Sequence, residues 1–140
     1  MKIRILSCAV ALFGLVACAT DIARRPASPA INYLDYAGPE VESFHYVRLD
    51  GWEVVSRDQI LVWTGLQEAY LLKVWEPCTE LQYALAIGFT SRFNHVSRFD
   101  KLRAGRDICP IGEIRRVDTA RLKADRRKQR AQPGAARPGN

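Results

Sequence analysis

Cys18 is the residue of this chain with the clearest covalent chemistry. It closes a four-residue stretch, residues 15–18, that has the form of a lipobox. In a lipobox the cysteine sulfur receives a diacylglycerol group through a thioether bond, and cleavage then makes the cysteine the first residue of the mature chain. The stretch therefore predicts that Cys18 is a lipidation site.

The residues before Cys18 have the layout of an export signal. Lys2 and Arg4 supply positive charge, and an apolar run follows from Ile5 to Val16. A run of about 12 residues rises only about 18 Å as a helix, which is less than the roughly 30 Å of a bilayer core. We therefore expect residues 1–17 to be a lipoprotein signal peptide rather than a permanent membrane span.

Ala19, which follows the expected anchor, bears on where the chain is retained. Lipoproteins kept at the inner membrane of many Gram-negative cells usually carry Asp at this position, so alanine favours the periplasmic face of the outer membrane. Ala17 and Ala19 also satisfy the small-residue rule for ordinary signal cleavage after Ala19. The alternative is thus a soluble periplasmic protein that begins at Thr20.

Cys78 and Cys109 are the cysteines left in the part of the chain expected to fold, because Cys8 lies in the signal. An oxidising periplasm favours a disulfide between them. Closing a loop of about 31 residues stabilises a fold by roughly 3 to 4 kcal/mol. The alternatives are a redox pair and a metal site, but the chain has no C-x-x-C motif and too few ligands for a closed zinc site. We expect a structural disulfide and no metal.

Recognised catalytic motifs are absent from the sequence. His45 and His95 accompany no known nucleophile motif, and we expect both to be ordinary surface residues. The fold could still pair two carboxylates, as in a two-acid hydrolase. The candidates are Glu76, Glu80, Asp100 and Asp107. We expect no catalytic residue and no cofactor, and the alternative is a small periplasmic hydrolase or ligand-processing accessory.

Aromatic side chains in the centre of the chain could line a ligand groove. The candidates are Trp52, Trp63, Tyr70 and Trp75. Aromatic residues on half-buried strands more often belong to a core. We therefore expect these four to be core residues, with the groove as the alternative.

The positive charge of the chain is concentrated at its C-terminus. Residues 119–140 carry a net charge of +6, which equals that of the whole chain, so the remainder has no net charge. Such a segment could contact anionic lipids, lipopolysaccharide or other acidic polymers of the envelope, and nucleic acid is not an expected partner. The alternative is that residues 118–131 form a solvated helix. The candidate anion-contacting side chains are Arg121, Lys123, Arg126, Arg127, Lys128 and Arg130.

The composition divides the mature chain into a tether, a body and a tail. Residues 18–43 contain three prolines and predict a tether that begins at the acylated cysteine, although residues 31–36 are apolar enough to dock on the body instead. Residues 119–140 are expected to be a mostly disordered or solvated-helical tail. Residues 44–118 remain as a single folded domain.

Strand patterns dominate residues 44–118. Asp50-Gly51 lies between two apolar stretches and predicts a type I′ hairpin, and residues 78–86 change to helical spacing. Further strand patterns lie at residues 59–64, 69–75, 87–92, 96–102 and 113–117. The first two of these should pair as a second hairpin. The sequence thus predicts a mainly β (α+β) domain, a small antiparallel sheet or partly open barrel with one short helix, held by one disulfide.

A set of residues spread over residues 44–117 carries a resemblance to a known family. The set comprises Trp52, residues 70–72, residues 78–81, Phe99-Asp100, and residues 109–111 before Ile114. In these positions the chain resembles a family of small Gram-negative envelope lipoproteins that share a domain of unknown function. The resemblance implies a signal in front and a pair of joined cysteines, and it supplies no catalytic or binding residue. The basic C-terminal segment falls outside the pattern.

These observations together lead us to expect a tethered binding or structural module of the cell envelope without catalytic activity. The membrane would be a partner through the lipid anchor. The sheet domain would contact an envelope protein or an anionic surface polymer, and the basic segment could add to that contact.

Overall fold

The computed structural model describes residues 30–131, which form nine strands, two short 3₁₀ helices and one α-helix. The strands are β1 (Ala37–Glu40), β2 (Ser43–His45), β3 (Gly51–Val54), β4 (Gln59–Gly65), β5 (Glu68–Val74), β6 (Ile87–Phe89), β7 (His95–Ser97), β8 (Lys101–Ala104) and β9 (Asp107–Val117). The 3₁₀ helices span Tyr33–Tyr36 and Thr79–Tyr83, and α1 spans Thr119–Ala131.

The antiparallel sheet is built around β9, an eleven-residue strand. Six strands follow the order β3-β4-β5-β9-β8-β6, and β1 also pairs with β9. The length of β9 lets it hold three neighbours, because its first part pairs with β8, its second part with β5 and its last residues with β1. The sheet curls into a half-barrel, and β2 pairs with β7 in a separate two-stranded ribbon.

The main core fills the inside of the curl. Ile60 and Leu72 lie directly opposite each other on β4 and β5, and both are fully buried there. Phe44 reaches this core from the ribbon and stacks on Tyr70 with ring centroids 4.5 Å apart. The disulfide between Cys78 and Cys109 joins the start of the second 3₁₀ helix to β9 at one side of the same core.

A second apolar cluster lies on the outer face of β4 and β5. Leu61 and Leu71 lie opposite each other, and Leu122 of α1 is fully buried against this cluster. Tyr33 and Tyr36 from the first 3₁₀ helix pack at its margin. Because both faces of β4 and β5 are covered, their sequences are continuous apolar runs rather than alternating ones.

The structure confirms the predicted mainly β fold, the curled antiparallel sheet and the Cys78–Cys109 disulfide, and β4 and β5 form the predicted hairpin. The hairpin predicted at Asp50-Gly51 was wrong, because β2 pairs with β7 while β3 pairs with β4. The helical spacing at residues 78–86 corresponds to a five-residue 3₁₀ helix. The α-helix lies instead after β9.

The folded body differs at both ends from the expected residues 44–118. Ile31 packs on the outer cluster and β1 pairs with β9, so the body includes much of the expected tether. At the other end α1 covers the outer face rather than standing in solvent, because Leu122 and its neighbours would otherwise expose that apolar cluster. The predicted signal and anchor, the start of the tether and residues 132–140 lie outside the described residues. No helix among those described is long and apolar enough to cross a membrane.

Candidate functional site

The outer face of the half-barrel is covered at one end and bare at the other. α1 covers the end formed by β4, β5 and the last residue of β9. On β8 and the first half of β9, the alternate side chains that point inward are buried and the outward ones are exposed. The inward residues are Leu102, Ala104, Cys109 and Ile111, and the outward residues are Lys101, Arg103, Ile108 and Pro110.

Strand register arranges the four outward residues in two pairs. Lys101 lies opposite Pro110, and Arg103 lies opposite Ile108. Directly paired residues have Cβ atoms about 4.5–5.5 Å apart, so each cation stands beside an apolar side chain. Ile108 is 52 % exposed. The surface therefore offers apolar area and positive charge side by side.

Trp75 extends this surface beyond the end of β5. Its backbone N–H donates to the carbonyl oxygen of Pro110 at 2.9 Å, and the residue is 67 % exposed. The indole lies against Gly112, where an added Cβ would stand 3.0 Å from Nε1. A glycine at this position therefore lets the ring approach the sheet backbone closely.

We call Trp75, Lys101, Arg103, Ile108 and Pro110 the basic–aromatic face. The side chains of Lys101 and Arg103 make no hydrogen bond or ion pair with any other residue in the described part of the chain. Their charges are therefore available to an external partner. An exposed apolar patch with a charged rim is typical of an interaction site.

A row of ion pairs separates this face from the part of the sheet under α1. Glu113 lies opposite Lys73, with 4.0 Å between Oε1 and Nζ. Arg115 donates two hydrogen bonds to the same carboxylate. Both cations of the row contact the carboxylate of Glu113, whereas Lys101 and Arg103 have no carboxylate partner among the described residues.

A groove of about 530 Å³ borders the basic–aromatic face beside β6 and the second 3₁₀ helix. Arg103 lines the groove and also belongs to the face. Gly88 lies opposite Arg103 on the edge strand β6 and carries no side chain that could cover the guanidinium group. Tyr83 and Leu85 also line the groove and are exposed. The groove thus adds further apolar area to the candidate site.

Arg126, one of the cations predicted to contact anions, binds α1 to the sheet. Its guanidinium group donates to the carboxylate of Glu53 on β3 and, at 2.8 Å, to the hydroxyl of Tyr33. Burial is the largest single influence and lowers the pKa of Arg126, but the hydrogen bonds and charges of Glu53 and Tyr33 together raise that pKa overall. Burial, followed by the charge of Glu53, raises the pKa of Tyr33. These groups form one polar contact between helix and sheet.

Three other cations of α1 also have partners within the protein. They are Lys123, whose ammonium lies 5.3 Å from the ring centroid of Trp63; Arg121, whose guanidinium lies 5.1 Å from that of Tyr36; and Lys128, which pairs with Asp125 at 3.1 Å. Arg127 and Arg130 are exposed and have no side-chain partner within residues 30–131. Anion contact by the six cations stays a prediction, and only these two have uncommitted charge.

The four carboxylates considered for a hydrolase serve turns or line different cavities. Asp107 accepts a hydrogen bond from the backbone N–H of Glu80 at 2.8 Å, and Asp100 accepts two from Ser97. Glu76 lines a cavity on one side of the second 3₁₀ helix, whereas Glu80 lines the groove beside β6. This arrangement gives no support to chemistry by two converging acids.

The disulfide occupies a cluster whose donor atoms lie close enough to hold a metal ion. The sulfur atoms of Cys78 and Cys109 and a carboxylate oxygen of Asp107 lie within 4.8 Å of one another. The two sulfur atoms are bonded to each other, and cysteine binds metals as a thiolate. The geometry therefore favours the structural role of this pair.

The four aromatic residues considered for a groove are divided between the two faces of the sheet. Tyr70 and Trp52 pack in the main core, and Trp63 packs on the outer cluster. Trp75 alone among the four lies on the basic–aromatic face. The signal for this face in the sequence is the alternation at residues 101–104. The single strand predicted at residues 96–102 was wrong, because the structure divides this stretch between β7 and β8.

Comparison with known families covers nearly the whole chain. Residues 1–133 match the model of DUF6491, which is described as a family of unknown function. The chain belongs to the DUF6491 family. The match includes α1, so the expectation that the basic segment lies outside the family pattern was wrong. No curated protein and no solved structure matches the chain. Because DUF6491 has no assigned function, the functional argument depends on the site itself.

Proposed function

We propose that this DUF6491 protein is a tethered binding module of the cell envelope that uses the basic–aromatic face to hold an anionic polymer. The observation that supports the proposal most strongly is the pair of cations without a partner in the described residues, Lys101 and Arg103, which lie beside exposed apolar side chains on the sheet. The other end of this outer sheet face is already covered by α1, so the exposed apolar area at the bare end is the part that a binding partner can still bury.

The chemistry of the face suits a polymer that carries sugar rings together with carboxylate or phosphate groups. Arg103 offers a planar guanidinium that can donate two parallel hydrogen bonds to such an anion, and Lys101 adds a point charge. The indole of Trp75 offers a flat apolar surface on which a sugar ring can pack. The face is open to solvent on the outer side of the curled sheet, so it fits a polymer chain better than it fits a small enclosed ligand.

The tether in this proposal is the acylated Cys18, at the periplasmic face of the outer membrane. Twelve residues run from Cys18 to Pro29, and a chain of that length spans at most about 40 Å. The body would therefore stay within that distance of the membrane, where a cell-wall polymer is within reach. Intact-mass measurement of the protein from its native host tests this part, because acyl chains on Cys18 support it and an unmodified chain beginning at Thr20 contradicts it.

Co-sedimentation with isolated cell-wall sacculi at low ionic strength tests the role of the face. We expect the full chain to sediment with sacculi and to be released by salt, since contacts between exposed charges are screened. Exposed ion pairs contribute about 0.2–1 kcal/mol each, so the double variant Lys101→Gln/Arg103→Gln should bind roughly 2- to 30-fold more weakly.

The double variant Arg127→Gln/Arg130→Gln tests the competing anion site on α1, because it removes the same amount of charge from the exposed side of the helix. We expect it to bind sacculi as the unchanged chain does. Absence of any binding to sacculi contradicts the proposal. Loss of binding in the α1 variant alone would assign the contact to the helix and would also contradict it.

A further inference from the structure

The two histidines of the chain are brought together by β2 and β7. They lie fifty positions apart in the sequence, yet the strand register places His45 directly opposite His95. Their ring centroids lie 4.3 Å apart, with 42° between the ring planes. Two imidazoles that appeared unrelated in the sequence therefore form one cross-strand pair.

The inward side chains of the same strands hold this pair in place. Phe44 and Val96 lie opposite each other and are buried in the main core, where Phe44 stacks on Tyr70. Successive side chains of a strand point to opposite faces. Burial of Phe44 and Val96 therefore fixes His45 and His95 on the outer side of the ribbon, with His45 exposed and His95 half-buried.

A tight turn directly before His95 adds a second observation. Phe93 and Asn94 have φ angles of 58° and 54°, and the N–H of His95 donates to the carbonyl oxygen of Arg92 at 3.4 Å. A positive φ is unusual for a bulky residue such as phenylalanine. Phe93 is 95 % exposed, so burial of its ring does not offset the strain. Backbone strain of this kind concentrates at functional sites.

We propose that His45 and His95 bind one divalent transition-metal ion, with Cu²⁺ bound most tightly. Two nitrogens that share an ion at 2.0–2.1 Å lie no more than about 4.2 Å apart. Rings whose centroids are 4.3 Å apart reach that separation by side-chain rotation, without movement of the strands. Imidazole is a good ligand for Zn²⁺, Cu²⁺ and Ni²⁺, and Cu²⁺ has the highest affinity of the three.

The site that results is open. Within residues 30–131, no third histidine, cysteine or carboxylate stands close enough to the pair to complete a set of protein ligands. Water, or a donor from a bound partner, would take the remaining positions. The ion would also join two strands of only three residues each, so its binding should raise the Tm of the protein.

Calorimetric titration of CuCl₂ and ZnCl₂ into the full chain, without any affinity tag, tests the proposal. We expect one Cu²⁺ per chain, weaker binding of Zn²⁺, and weakening of both as the pH is lowered and protons compete for the imidazole nitrogens. Loss of a group that merely orients a ligand costs about 10–100-fold in metal affinity. Removal of a ligand itself in His45→Asn or His95→Asn should therefore weaken Cu²⁺ binding at least tenfold.

Ser43 supplies two matched variants on the same side of the ribbon, two residues before His45. Ser43→Ala should leave the affinity unchanged. Ser43→His adds a third imidazole to that side and should tighten Cu²⁺ binding about tenfold or more. This gain in Cu²⁺ affinity tests the histidine site even where circular dichroism shows that the asparagine variants fold poorly.

Magnetic resonance gives a readout that belongs to the histidines alone. The chain contains two histidines, and a small amount of Cu²⁺ should broaden both imidazole C–H signals together. Cu²⁺ binding that survives both asparagine variants would overturn the proposal. Broadening of neither histidine signal, or unchanged affinity in Ser43→His, would overturn it as well.

Discussion

Leu122→Ala tests whether α1 is a packed part of the body. Leu122 is fully buried between the helix and the outer face of the sheet, in the cluster that contains Leu61 and Leu71. Replacing a buried leucine by alanine costs about 2–5 kcal/mol, and the cost is smaller where neighbours can close over the cavity. Because Leu122 is the large apolar residue that α1 buries, the helix can shift, and we expect about 2–3 kcal/mol.

Thermal unfolding followed by circular dichroism, with the disulfide intact, measures this loss. The expected decrease in Tm is at least about 8 °C for a body of this size. Arg127→Ala is the matched control, since Arg127 is exposed on the same helix, and it should change stability by less than about 0.5 kcal/mol. A solvated helix would lose nothing in Leu122→Ala, because alanine is a strong helix former. An unchanged Tm would therefore refute the packed helix.

Three further predictions concern the contacts that hold the body together. A double-mutant cycle with Glu53→Gln and Arg126→Gln should give a coupling of about 1 kcal/mol, because the pair is half-buried and hydrogen-bonded; zero coupling would contradict this contact. Replacing Cys78 and Cys109 together by serine should lower the free energy of unfolding by about 3–4 kcal/mol, as expected for a 31-residue loop, in urea titration. Burial raises the pKa of Tyr33, so the folded state holds the phenol proton more tightly than the unfolded state does. The contribution of Tyr33 to the free energy of unfolding is therefore fully present below about pH 10, the unfolded pKa, and is lost as the pH rises through the folded pKa. Tyr33→Phe should therefore lose less stability than the unchanged chain between about pH 9 and pH 11; equal losses would contradict the raised pKa.

The sequence predicted most of what depends on local pattern. The runs at residues 59–64 and 69–75 specify β4 and β5, and the four residues between them suit a tight turn, so the hairpin follows from neighbouring residues. The disulfide follows from counting the cysteines of the part of the chain expected to fold, on the expectation that the chain is exported. The hairpin predicted at Asp50-Gly51 was wrong because tertiary contacts, as well as the turn sequence, determine which strands pair. Phe44 on β2 is buried together with Val96 on β7, and that burial outweighs a favourable turn sequence.

The candidate site depends on contacts that the sequence does not display. Lys101 and Arg103 appear as ordinary alternating residues, and they form a face only because β9 places Ile108 and Pro110 beside them. Conversely, the basic run of α1 stood out in the sequence. One of its half-buried cations, Arg126, binds Glu53 within the protein. A charge that is conspicuous in sequence was therefore a poor guide to a charge that is available on the surface.

Lysine footprinting tests the central claim, binding through the basic–aromatic face, most directly. Lys101 lies on that face and Lys128 lies on α1, and both are exposed. The full chain is treated with an amine-reactive reagent with and without isolated sacculi, and the modification of each lysine is measured by mass spectrometry. The account predicts that sacculi reduce modification of Lys101 several-fold and leave Lys128 unchanged. Equal modification of Lys101 in both samples, or protection of Lys128 alone, would contradict it.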